Sequence, residues 1–331
     1  IDMNEQNYVY IAIRRPDGLV GKPAEVGSNV FAMDVGNNSS TIPAFDSGFP
    51  VDFALARRPG STEEWYTTAR LIEGKVLNTN NTNPEGSNSY FPYDSNEGFS
   101  HNLDSQYQGW MWKRHAGFGV ATYVGNSTGD YSGMSQVIPH NLGKVPEMIW
   151  GKKRNGSGYW GVYHKGLNGG TNPWNYRLLL NDTHAESAAS GSYTNWYWNN
   201  TAPTATHFSV GEVPNVNDNN MNLIAFLFAS VEGISKCGYY TGNGSTSGHQ
   251  ITLGFQPRFL IVKDASQTGN WNVFDTTRGF NGSNDKLMLL NSTQANAGIG
   301  AFAAPNSTGF NIVTDGVGNN NGINYIYYAH A

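Results

Sequence analysis

The chain has 331 residues, 38% of them apolar and 13% aromatic, with a formal net charge of −5. That is apolar material for two or three cores; the acidic balance gives no electrostatic reason to expect nucleic-acid binding, and no apolar run approaches the ~20 residues of a bilayer-spanning helix. Only 14% of residues are charged, and Gly and Asn number 40 each, so the composition, poor in helix formers and rich in aromatic and turn residues, predicts an all-β protein of short strands.

Residues 1–29 read as a remnant strand and linker. YVYIAIRR, from Tyr8, alternates as a strand does and matches the strands that close the later units. It is expected to pair with another unit or with a neighbouring copy, because an isolated apolar strand would leave an open edge. With no unit in front of it, the chain is expected to continue upstream.

Three related units follow, at 30–118, 119–236 and 237–331, with the same features in the same order. Each opens on a polar, glycine-rich segment, best seen in residues 123–128 (YVGNST) and 240–245 (YTGNGS), where Gly and Asn are expected to supply the positive φ of a tight turn. An apolar run led by a proline comes next: FPVDFALARR around Pro50, VPEMIWGKKR around Pro146 and QPRFLIVKD around Pro257. Proline belongs ahead of such a strand, where its missing N–H removes no ladder bond. Trp65, Trp160 and Trp271 lie 15, 14 and 14 residues beyond those prolines. Each is expected to be a core anchor burying ~200 Å². Leu-Asn steps at Asn78, Asn181 and Asn291 then suggest Asx-turns. Apolar strands at 110–115, 223–230 and 324–330 close the units. Together the pattern predicts three tandem β-sandwich-like units rather than a parallel α/β sheet.

Reactive chemistry has little basis in this pattern. The acids show no paired spacing of the kind glycoside cleavage uses, and the eight histidines form no His-x-His or HExxH motif. No catalytic residue and no cofactor are expected. The lone Cys237 cannot form an internal disulfide and reads as a small buried residue. Basic clusters at Arg57-Arg58, Lys113-Arg114 and Lys152-Lys153-Arg154 read as solvated strand ends. Two oxygen-rich loops, NVNDNNMN at 215–222 and DGVGNNNG at 315–322, make Asp218 and Asp315 the metal candidates, although long turns explain them as well. The densest aromatic set in irregular sequence is Trp174, Tyr176, Tyr193, Trp196, Tyr197 and Trp198. Trp174, Tyr176, Trp196 and Trp198 are the candidates for stacking on sugar rings; the competing expectation is that the set packs the second unit's insertion.

Several long blocks, YIAIRRPDG from Tyr10, GFPVDFALARR from Gly48, YQGWMWKRHAGF from Tyr107, HNLGKVPEMIWGKKR from His140, WGVYHKGLNGGTNP from Trp160, LIAFLFASVEGISK from Leu223 and YTGNGST from Tyr240, resemble a family of repeat-containing virion proteins of marine tailed bacteriophages. In that family a concanavalin-like lectin region often lies upstream. The resemblance implies a non-enzymatic, tail-fibre-like structural or adhesive component of the extracellular particle. It implies as partners other virion proteins, further copies of the chain, expected as a homotrimer, and a host-surface glycan. A lectin-like receptor-binding module and a capsid decoration protein are the alternatives, with a polysaccharide depolymerase behind them. The family supplies no catalytic residue to carry over.

Overall fold

A computed structural model describes residues 26–129, 133–188 and 195–331; the strand expected at residues 8–13 lies outside them. The described chain is nearly all β and consists of antiparallel sheets. Three large sheets share one strand order. In the first, the opening strand Phe31–Val35 lies beside the closing strand Gln108–Trp112, followed by the proline-led strand Phe53–Arg57 and the tryptophan strand Tyr66–Ala69. The second runs Phe118–Val124, Asn222–Phe228, Met148–Lys153, Gly161–His164, then Tyr176–Leu179 and Ser187–Ala188. The third runs Ser235–Thr241, Asn324–His330, Phe259–Asp264, Trp271–Asp275, then Lys286–Leu289 and Ala297–Gly298. Pro50, Pro146 and Pro257 stand just ahead of their strands, outside the ladders.

Side-chain alternation gives each large sheet two buried faces. Phe53 and Leu55, Met148 and Trp150, and Phe259 and Ile261 enter one central core to which all three sheets contribute. Their neighbours in sequence turn the other way: Ala54 and Ala56, Ile149, and Leu260 and Val262 enter three separate outer cores. A strand buried on both faces needs apolar residues at consecutive positions, which accounts for runs such as LIAFLF in the second closing strand. Smaller pairings lie outside the large sheets, for example Phe45–Asp46 with Gly98–Phe99 and Gln136–Pro139 with His207–Val210. Each unit is thus sandwich-like, with its inner face in the shared centre. Trp65, Trp160 and Trp271 are at most 1% exposed there, and Cys237 lies in the same core.

The sheets are joined by a contact made three times. Trp271 Nε1 donates to the Leu179 carbonyl at 2.8 Å, Trp160 Nε1 to the Asn78 carbonyl at 2.8 Å, and Trp65 Nε1 to the Leu289 carbonyl at 2.7 Å. The third sheet therefore reaches the second, the second the first, and the first the third, which closes a ring. The same geometry corrects the asparagine alignment. Asn181 and Asn291 accept the backbone N–H of Trp160 and Trp271 at 2.9 Å each, and in the first sheet Asn80, not Asn78, accepts that of Trp65 at 3.1 Å. These asparagines clamp the tryptophan strand instead of closing Asx-turns.

Two of the basic strand ends also differ from expectation: Arg57 and Lys152 are fully buried, as is Lys263, whereas Arg114 is exposed. Lys263 pairs across the ladder from Trp271, and the other two hold the same place one step beyond Ala56↔Tyr66 and Gly151↔Gly161. Burying a cation is costly unless it is hydrogen-bonded, and each finds carbonyls on the next sheet. Lys152 donates to Thr82 O at 3.2 Å and Lys263 to Thr183 O at 3.4 Å. Arg57 reaches Ser292 O at 3.1 Å, Gln294 O at 2.6 Å and Thr293 O. Thr82, Thr183 and Thr293 each lie two residues after the clamping asparagine. Burial lowers both lysines to about 8 and Arg57 to about 10. Backbone bonds repeat beside them: Glu85 N to Arg154 O at 2.6 Å, Glu186 N to Ala265 O at 2.7 Å and Asn296 N to Pro59 O at 2.7 Å.

The left-handed residue expected at 240–245 is Gly244, with φ 61, but the glycine that ends each opening strand is there for another reason. Gly36, Gly125 and Gly242 do not have positive φ. A Cβ on them would stand 2.2 to 2.3 Å from the carbonyl oxygens of Asp104, Asp218 and Asn320 respectively. Close approach of the backbone before the closing strand, and not a left-handed turn, excludes a side chain there.

Candidate functional site

The second sheet carries the site. After the tryptophan strand Gly161–His164 the chain makes two short 3-10 turns, Leu167–Gly170 and Pro173–Asn175, with Asn172 left-handed at φ 45 between them. It then enters Tyr176–Leu179, where Tyr176 pairs with Ala188. Beside this edge lies an open cleft of about 480 Å³ lined by Asn172, Trp174, Asn175, Tyr176, Ala188 and Asn200, within the roughly 300–1,000 Å³ usual for ligand clefts. Trp174 and Tyr176 are both half-buried, Trp174 against the second sheet's outer core and Tyr176 against the central one. Packing on one side fixes each ring and leaves part of it in the cleft. Asn175 Oδ1 is buried and has no hydrogen-bond partner. Every lining residue is uncharged.

The predicted aromatic set is therefore divided. Trp196, Tyr197 and Trp198 are 9%, 4% and 2% exposed and belong to the second sheet's outer core. Trp198 meets the edge of Tyr163 at 6.1 Å, while Tyr197 accepts a bond from Asn215 Nδ2 at 2.7 Å and lies under the Arg177 guanidinium at 5.7 Å. These rings pack the insertion and offer no face to a sugar. Tyr193 lies outside the described residues. The cleft's asparagines were missed because, in so Asn-rich a chain, no spacing distinguishes them; the two-residue step Trp174-x-Tyr176 was the available signal.

The oxygen-rich loops are held by amides. Asn217 and Asn126 exchange two bonds, with Asn126 N donating to Asn217 Oδ1 at 3.0 Å and Asn217 Nδ2 to Asn126 Oδ1 at 2.9 Å; Asn319 and Asn243 do the same at 3.0 Å each. Asp218 is paired with Lys153 Nζ at 2.6 Å, and Asp315 is exposed. Among the described residues no three His, Cys, Asp or Glu side chains stand close enough to share a metal ion.

The fully buried acids are committed to the fold. Asp285 accepts backbone N–H groups from Asn281, Gly282, Phe302 and Ala303. Asp275 pairs with Arg278 Nε at 2.6 Å and accepts Trp110 Nε1 at 3.0 Å. Glu212 accepts Gly133 N at 2.9 Å. His164, buried with Nε2 3.2 Å from Tyr327 O and Nδ1 accepting Gly166 N, is lowered to about 3 by desolvation.

These features define an all-β protein of three ring-closing sheets with an aromatic and amide cleft on one of them. The chain belongs to the family described as Domain of unknown function (DUF7483), which matches residues 110–331, from the first closing strand through the second and third sheets. Comparisons with curated proteins and with solved structures gave no match.

Proposed function

We propose that the protein is a non-enzymatic structural and adhesive component of a tailed-phage virion, an appendage that carries loops toward the host surface. The observation that supports this reading best is the use made of the repeated residues: Trp65, Trp160 and Trp271, with Arg57, Lys152 and Lys263, all go into sheet-to-sheet bonds. What the chain repeats three times serves rigidity. The sequence resemblance to virion proteins supports the setting, with further copies of this chain and other virion proteins as partners. Gold-labelled antibody on purified particles, viewed by electron microscopy, is expected to mark an external appendage. Absence of the chain from purified particles, or turnover of a host polysaccharide by the purified protein, would overturn the reading.

A further inference from the structure

We infer that the cleft beside Trp174 and Tyr176 binds an uncharged saccharide, and that the other two sheets lack the site. This deepens the adhesive reading and rests on it.

The internal repetition provides a control within one chain. Tyr176 pairs with Ala188, Lys75 with Ser87 and Lys286 with Gly298, the same position in the three units. Two residues earlier stand Trp174, Glu73 and Asn284. Two of the three units build this edge with a lysine and a polar residue, so the architecture does not require aromatic rings there. In the second unit alone the pair Trp174 and Tyr176 appears, with Asn200 brought alongside by an insertion before the closing strand.

The lining specifies the chemistry of the occupant. Two half-buried rings, held from behind, offer apolar faces with little conformational entropy left to lose. Asn172 and Asn175 offer both donors and acceptors, the pattern that a ring bearing C–H groups on its faces and hydroxyls on its edge can satisfy. Among the described residues no cation lines the cleft to hold a phosphate, sulfate or carboxylate. Arg177, the nearest guanidinium in sequence, lies over Tyr197 in the outer core. The open shape admits a residue within a longer glycan as readily as a terminal one.

The test transplants the third sheet's residues into the second: Trp174→Asn with Tyr176→Lys, and Tyr176→Lys alone as the milder change. The whole chain is applied to an array of neutral and acidic oligosaccharides, and its affinity for whichever neutral glycan it retains is measured by titration. The native protein is expected to hold at least one neutral glycan in preference to acidic ones. The double variant is expected to bind at least tenfold more weakly while still folded, with a melting temperature lowered by the packing that both rings lose, and Tyr176→Lys alone to weaken binding should the double variant unfold. Retention of acidic glycans only, no retention at all, or native affinity in a folded variant would each overturn the inference. Gold labelling of particles separates the two claims. A labelled appendage whose folded variants bind the host cell as the native chain does leaves the adhesive reading standing and removes the cleft from it.

Discussion

The first sheet's corner and the other two do the same work with different cations. Arg57 spreads its guanidinium over the carbonyls of Ser292, Thr293 and Gln294, whereas Lys152 and Lys263 each reach only one carbonyl of the next sheet, that of a threonine, and Lys263 also donates to the Asp264 carbonyl of its own strand. The difference follows from what else serves those carbonyls. Thr82 O also accepts Gly158 N at 2.9 Å and Ser157 Oγ at 3.1 Å, and Thr183 O also accepts Gly269 N at 2.8 Å. At the first corner the planar fork of arginine, which lysine cannot imitate, supplies several bonds at once. Equivalent positions in a repeat need equivalent satisfaction of polar groups, not identical residues.

The largest effect is expected from removing the feature that the three corners share. Trp65→Ala, Trp160→Ala and Trp271→Ala should each destabilise by ~3–5 kcal/mol, read as the shift in a urea unfolding curve. A variant costing much less than its two counterparts would break the equivalence. Arg57→Met comes next, at ~1–3 kcal/mol, because the half-buried carbonyls of Ser292 and Thr293 and the exposed one of Gln294 lose their donor together; an unchanged unfolding midpoint would show that the fork is dispensable.

The pH profile sharpens the comparison further. Lys152 and Lys263 titrate near 8 in the fold against ~10.4 when unfolded, so between those values the unfolded chain binds more protons and stability rises with pH. Above about pH 10 the buried tyrosines, among them Tyr163 and Tyr328, whose burial raises them, oppose this, since the unfolded chain ionises first. His164 and His330 near 3 and His115 near 4 act on the acid side. The unfolded chain takes up those protons as pH falls through ~6.5, so stability falls with it. Unfolding midpoints measured from pH 4 to 11 are expected to peak at about pH 9–10, and a peak below pH 7 would contradict the buried lysines. The smallest effect belongs to Lys152→Met, within ~1 kcal/mol at pH 7 since an apolar replacement of a buried ion is often near neutral. It should roughly halve the rise between pH 8 and 10; an undiminished rise would assign that arm to other groups.

Much of the scaffold was legible in the sequence because it rests on spacing. Proline-led runs, the tryptophans beyond them and apolar closing strands are period-2 features, and the burial of Trp65, Trp160 and Trp271 follows from them. The destination of the cations was not legible. A lysine at a strand end looks the same whether it meets water or a neighbour's carbonyl, and only the closed ring places Lys152 and Lys263 inside. The asparagine alignment failed for a related reason: Asn78 and Asn80 differ by one β period, and both follow the apolar step closely. For the cleft, composition could gather Trp174 and Trp198 into one set but could not sort them, because which ring packs and which is displayed depends on the path of the insertion.

Each sheet carries a donor face, with its indole and its cation, and an acceptor face, with its asparagine-to-threonine turn. Such a polar interface would, between separate molecules, build either a ring or an endless fibre, depending on the angle between subunits. Here the covalent chain and the angle together consume every face. Among the described residues three sheets therefore complete the ring, and a chain deprived of one would expose a matched pair of sticky ends.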